Sequence, residues 1–210
     1  MISGQRSLLG GGAPSIDGSL SAMARRWLDE TAWVDYHPSW IGGQQALMDH
    51  LVASTRWQQP QREMYDKIVE VPRLVAGLPQ DGPGHPLLEQ MRAALASHYG
   101  MSFPRTGCAY YRDGRDSVAW HGDYIARELD QAVVATVSLG EPRRFLLRPR
   151  AGGASIGYRL GWGDLIVMGG SCQRTWQHAI PKVAHAHPRV VVMFRPIWPA
   201  PPGGVLPPGY

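Results

Sequence analysis

His121 and Asp123 stand two residues apart, His178 follows far downstream, and Arg189 and Arg195 come after it. Two imidazoles and one carboxylate are the ligand set that leaves open positions on a non-haem Fe(II) ion. Residues two apart on a strand point to one face, so His121 and Asp123 can reach one ion if their segment is extended. His178 would have to return to that ion through the fold. The chain has eight histidines, so a later partner is easily found. His185 and His187 are nearby rivals that read as a surface loop before Pro188. Arg189 and Arg195 bracket Val-Val-Val-Met-Phe and are six apart, again one face of a strand. They are either the solvated ends of a buried strand or, for at least one of them, an interior fork that grips a carboxylate. A dicarboxylate co-substrate bound to the iron would suit the second case, and the set then points to an oxygen-activating enzyme.

The elements that must position these residues divide the chain in two. Leu20 to Asp29 reads as a short helical or amphipathic piece, Thr31 to His37 as a strand, and Gly42 to Thr55 as a helix with Leu47, Leu51 and Val52 on one side. Val69 to Val75 is apolar and extended, and residues 80–84 form a turn cluster. A second helix opens at Pro86, repeats Leu87, Met91, Leu95 and Tyr99 at helical spacing, and stops at Gly100. Short strand-like runs then follow at Cys108–Arg112, Val118–His121, Val133–Leu139, Arg144–Arg148, Ile156–Leu160, Leu165–Met168 and Val190–Phe194. Strands this short and this regularly spaced suggest a sandwich or barrel of antiparallel sheets. The chemistry lies in this β half.

With 44% hydrophobic and 18% charged residues the chain can bury a core, which excludes a disordered class. Two cysteines, Cys108 and Cys172, make no disulfide framework and read as buried apolar side chains, which suits a reducing, cytoplasmic setting. No segment has the length or apolarity of a membrane span or signal peptide. A net charge of +4 permits an anionic partner. Arg56, Arg62, Arg73, Arg112, Arg115, Arg127, Arg143 and Arg144 are candidate phosphate contacts, against a background in which scattered surface charge is ordinary.

The run Cys108-Ala-Tyr-Tyr-Arg-Asp-Gly-Arg-Asp-Ser-Val-Ala-Trp-His-Gly-Asp123 resembles the metal-site segment of the AlkB-like 2-oxoglutarate/Fe(II)-dependent dioxygenases. Val137-Ser-Leu-Gly-Glu-Pro-Arg-Arg-Phe145, Gly163-Asp-Leu-Ile-Val-Met168, Trp176-Gln-His-Ala-Ile-Pro181 and Arg189 to Arg195 match the same family in the same order. The resemblance covers about half the chain, and Val71-Pro-Arg-Leu74 extends it loosely. It implies a mainly β, α+β fold: a double-stranded β-helix (jelly roll) with N-terminal helices and a nucleotide-recognition lid. The implied organisation is a flexible arm over 1–20, one dioxygenase domain over 21–197 with its jelly-roll core at 105–197, and a Pro/Gly-rich tail over 198–210.

By the same resemblance His121, Asp123 and His178 bind iron, Arg189 pairs with the distal carboxylate of 2-oxoglutarate, Arg195 supports the co-substrate or its surroundings, and Tyr111 adds a hydroxyl. The implied cofactors are Fe(II), 2-oxoglutarate and dioxygen. The implied reaction is demethylation of N-alkylated bases in single-stranded or damaged nucleic acid, with release of formaldehyde, by a monomer active in DNA repair. Two departures stand out. Ala109 and Val191 occupy positions where the family has asparagines on 2-oxoglutarate, which predicts a rebuilt co-substrate pocket. Tyr124 and Ile125 stand where repair members carry an acidic residue near the base, and Met64 and Tyr65 are candidates to stack on it. These departures leave room for a non-nucleic substrate, or for a non-catalytic binding protein on the same fold.

Overall fold

The computed structural model describes residues 12–17, 19–64, 67–78, 85–123 and 131–197, with side chains of 62–69 excluded. Strands β1 (Ser15–Ile16), β2 (Ala24–Trp27), β3 (Ala32–His37) and β4 (Ile41–Gly42) precede helix α1 (Gln44–Ser54). Strands β5 (Gln61–Met64), β6 (Lys67–Glu70) and β7 (Leu74–Leu78) lead to helix α2 (Pro86–Tyr99). Then come β8 (Arg105–Tyr111), β9 (Val118–His121), β10 (Val134–Gly140), β11 (Arg143–Pro149), β12 (Ile156–Leu160) and β13 (Asp164–Gly170). The short helix α3 (Cys172–Thr175) and strands β14 (Trp176–Ile180) and β15 (Arg189–Arg195) complete the described chain.

The last eight strands are shared four and four between two sheets, alternating except that β11 and β12 are adjacent in the smaller one. The larger sheet runs β2-β3-β13-β10-β15-β8-β7 and the smaller β12-β11-β14-β9. All pairings are antiparallel and most neighbours are not consecutive in sequence, which is the jelly roll. Side-chain alternation explains how the larger sheet lies between two layers. Val190, Val192 and Phe194 of β15 pack with Val137 and Leu139 of β10 against Leu47 of α1 and Met91 and Leu95 of α2. Their in-between neighbours face the smaller sheet, where Val134, Val191 and Ala109 join Phe145 and Leu147. Each of these large aliphatic side chains contributes roughly 1.5–3 kcal/mol on burial.

The expected helices are present and end as expected, with Gly100 left-handed at φ 65° closing α2. A cap not foreseen from sequence is the His85 side chain, which accepts from Leu87 N at 3.2 Å. The helical piece expected over Leu20 to Asp29 is a correction. Only Leu20–Ala22 makes a 3₁₀ turn, and Ala24–Trp27 is strand, hydrogen-bonded to β3. Arg25 holds it there, donating from Nε and Nη2 to both Asp35 oxygens at 2.7 Å while lying over the Trp33 ring. Within the arm expected over 1–20, residues 1–11 and 18 lie outside the described residues, and Ser15–Ile16 pairs with β4. The extended run expected over Val69 to Val75 is broken by Pro72 into β6 and β7. Strands β5 and β6 form a separate two-stranded sheet, and Gln61 and Glu70 at one end of it line the cavity described below.

Candidate active site

His121 on β9 and His178 on β14 are direct antiparallel partners, so both rings stand side by side on the inner face, centroids 4.2 Å apart. The pairing shifts register just past them, a bulge of the kind that re-aims side chains next to sites. Asp123 follows through Gly122. A Cβ at Gly122 would lie 2.3 Å from the Gln173 carbonyl oxygen, so only glycine lets the chain pass α3 this closely. One potential ligand atom from each of His121, Asp123 and His178 lies within 4.8 Å of the other two. Among the described residues this is the sole cluster of His, Cys, Asp or Glu able to hold a metal. His185 and His187 lie exposed in the loop after β14, outside it.

Neighbouring groups fix each of the three. His121 Nδ1 sits 2.8 Å from the Ala119 carbonyl, which can only accept, so the proton is on Nδ1 and the Nε2 lone pair is free for a metal. His178 is stacked on Phe145, centroids 5.4 Å apart and planes at 24°. Asp123 Oδ2 accepts from Arg195 Nε at 2.9 Å, its backbone N–H donates to Gln173 Oε1 at 2.9 Å, and Oδ1 lies 4.0 Å from His121 Nε2. Burial pushes the Asp123 carboxyl up, but Arg195 and both imidazoles together pull harder and leave it at about 2. Burial, with His121 beside it, draws His178 down to about 3, and burial also lowers His121. An ionised carboxylate and two neutral imidazoles result, the protonation states a divalent cation requires.

A cavity of about 440 Å³ opens beside the cluster, with Tyr111, Thr136, Arg189 and Val191 in its wall and Pro60, Gln61 and Glu70 to Arg73 at the base of the hairpin. Arg189 is 1% exposed and donates from Nη2 to Ser138 Oγ at 2.8 Å. Its Nε and Nη1 have no partner among the described residues. Burial draws this guanidinium down to about 10. A buried cation with two unmet donors on a cavity wall fits a carboxylate, and hence a dicarboxylic acid reaching toward the metal cluster. The Tyr111 ring lies beside it, 5.3 Å from the guanidinium carbon. Ala109 and Val191 are cross-strand partners, both buried in the cavity wall. With both apolar, neither leaves a polar group unmet.

The structure thus brings His121, Asp123, His178, Tyr111 and Arg189 to one cavity. Arg195 borders the same cavity, but its head is committed to Asp123. Met64 ends β5 with its side chain outside the described set, and Tyr65 and Tyr124 lie outside the described residues altogether. Three contributors were not foreseen in these roles: Ser138, Gln173 and Phe145. Ser138 had a signal, since Thr136 and Ser138 interrupt the apolar run Val133–Leu139 with period two, the mark of an inner face lining a polar site. Nothing local marks Gln173, which acts across fifty residues of sequence. Trp176 is core and donates its indole N–H to Asp29 at 2.7 Å, whereas Trp120 is half-buried at the cavity rim.

The 2OG-Fe(II) oxygenase superfamily matches residues 20–195 of this chain. Alpha-ketoglutarate-dependent dioxygenase alkB homolog 3 of Homo sapiens is 29% identical over 191 residues, covering 80% of this chain and 67% of that protein. Its Bos taurus counterpart is 33% identical over 129 residues, 57% of this chain and 45% of the relative. DNA oxidative demethylase ALKBH2 of Mus musculus is 29% identical over 126 residues, 56% of this chain and 53% of its own length. The matched stretches therefore span between about half and two thirds of these relatives. Among solved structures, a prolyl hydroxylase of Trichoplax adhaerens in complex with a hypoxia inducible factor peptide superposes with TM-score 0.60 at 11% identity, covering 77% of this chain and 82% of the other. OsALKBH1 gives TM-score 0.54 at 14% identity, covering 83% and 100%. These two speak for the fold, which matches the jelly roll derived above. The chain belongs to the 2OG-Fe(II) oxygenase superfamily and is AlkB-like in sequence, a dioxygenase that uses Fe(II), 2-oxoglutarate and dioxygen.

Proposed function

We propose that this dioxygenase oxidatively demethylates N-alkylated nucleobases in single-stranded or damaged DNA or RNA and releases formaldehyde. One observation carries the chemistry: a buried arginine with two unmet donors shares a cavity with an ordered His-Asp-His cluster. The substrate class draws on likeness to relatives, one of which is named a DNA oxidative demethylase, and on the positive net charge.

His121, Asp123 and His178 would hold Fe(II), and Arg189 would take the distal carboxylate of 2-oxoglutarate with Tyr111 adding its hydroxyl. Together with dioxygen, those groups supply an oxidant able to hydroxylate an N-methyl carbon, with succinate and carbon dioxide as co-products. The protein's part is to hold the reactants in place. Ser138 aims the Arg189 fork, Phe145 fixes the plane of His178, and Arg195 keeps one Asp123 oxygen occupied while the other faces His121. A base enters by leaving its stack, which a single strand permits at least cost. The hydroxymethyl product collapses to formaldehyde and the repaired base.

The test is anaerobic reconstitution with Fe(II) and 2-oxoglutarate, then air and an oligonucleotide carrying 1-methyladenine or 3-methylcytosine. Formaldehyde and repaired base, both lost in His121→Ala, are expected. Succinate without repair, across a panel of methylated bases, would overturn the nucleic-acid reading and turn the search to another substrate.

A further inference from the structure

The smaller sheet has an outer face that the active site does not use. Phe145, Leu147 and His178 point inward, so Arg144, Leu146 and Arg148 of β11 and Gln177 of β14 point outward. Gly157 and Arg159 of β12 share that outer side, and Leu146 leans over Gly157. Two features of this face are unusual. Arg144 and Arg159 are direct cross-strand partners, both exposed, and neither has an ion pair among the described residues. Like charges directly opposite one another oppose pairing. Moreover, none of the four strands contains Asp or Glu. Two exposed arginines on another part of the molecule are neutralised, Arg112 by Asp116 and Arg115 by Asp113, whereas Arg26 and Arg56 stand exposed without an ion pair among the described residues.

The face also leads somewhere. Arg148 lies over the Trp120 ring at 4.2 Å, and Trp120 borders the active-site cavity. From that rim the path crosses Arg148 and reaches Arg144 and Arg159, with Arg144 about 13 Å along β11 from Arg148. Fixed positive charge laid out from an aromatic residue is how proteins track a single strand without reading its sequence.

We propose that the outer face of the smaller sheet, through Arg144 and Arg159 with Arg148 and Trp120 as the link to the cavity, binds the phosphate backbone of single-stranded nucleic acid flanking the base in the site. This rests on the nucleic-acid reading above and adds to it where the rest of the strand lies.

The test measures binding of an unmodified single-stranded 20-mer by fluorescence anisotropy across a range of salt, with the full chain and with Arg144→Gln/Arg159→Gln. Loss of two phosphate contacts should weaken binding roughly tenfold and lower the log–log salt slope by about 1.4. Arg144→Lys/Arg159→Lys, which keeps the charge, should retain most of the slope. Succinate formation without nucleic acid should be unchanged in both variants, which shows that they remain folded. Wild-type affinity and slope in the Gln variant would overturn the proposal. So would arginine-dependent binding to phosphatidylserine vesicles with none to the oligonucleotide. If the wild type repairs methylated oligonucleotides while the Gln variant binds normally, the surface fails and the function stands. If binding depends on the two arginines but no methylated base is turned over, the function fails and the surface stands.

Discussion

Arg189 and Arg195 look equivalent in sequence and do different work. Six residues of strand separate them by about 20 Å, too far to grip one small acid together. Arg195 meets Asp123, so its charge is used in keeping a buried carboxylate ionised. Among the described residues the Arg189 guanidinium hydrogen-bonds only to Ser138 and has donors to spare. A guanidinium fork matches a carboxylate in two places at once, and an ammonium does not. Arg189→Lys should therefore raise the half-saturating 2-oxoglutarate concentration at least roughly tenfold while leaving Fe(II) affinity nearly unchanged. Titrating each ligand separately would check this, and an equal loss of both would show that the arginine shapes the whole site.

Strand register is what converts separate side chains into a site. Leu147 stands opposite His178 on the neighbouring strand and is fully buried, so it fills the space beside the ligand on the inner face. Leu147→Ala should cost about 2–5 kcal/mol of stability, read from the midpoint of urea unfolding at constant slope. A loss below about 1 kcal/mol would mean that the inter-sheet layer can collapse around the hole. Element identity also depended on partners. Ala24–Trp27 is too short for periodicity to separate helix from strand, and the unpaired edge of β3 together with Asp35 decided for strand. The helices were legible because their signals are local: Pro86 at the start, Leu87, Met91 and Leu95 along one face, Gly100 at the end.

Across the whole molecule, burial of titratable groups couples stability to pH. His178 titrates at about 3 when folded, below the ordinary histidine value of about 6.5. Between those values the unfolded chain holds more protons, so the metal-free protein loses stability as pH falls from about 6.5 toward 3, by up to about 1.4 kcal/mol per pH unit from this group. His121 acts in the same direction, and Asp123 adds to the loss only below about 4. Urea midpoints should be flat from pH 8 to 7 and fall from pH 6 to 5, less steeply in His178→Gln; a flat profile in the wild type down to pH 5 would refute it. Among the described residues no helix is long and apolar enough to cross a membrane. Side-chain periodicity is local, so the amino-acid order alone already placed His121 on a strand, put Arg189 and Arg195 on one face and marked the helix ends. Spacing alone left the third histidine and the two arginines open, and the motif resemblance singled out His178 and Arg189; that His178 stands opposite His121, that Arg195 is taken up by Asp123, and that Gln173 and Ser138 belong to the site were decided only by the fold, because each depends on strands or helices distant in sequence being brought into register.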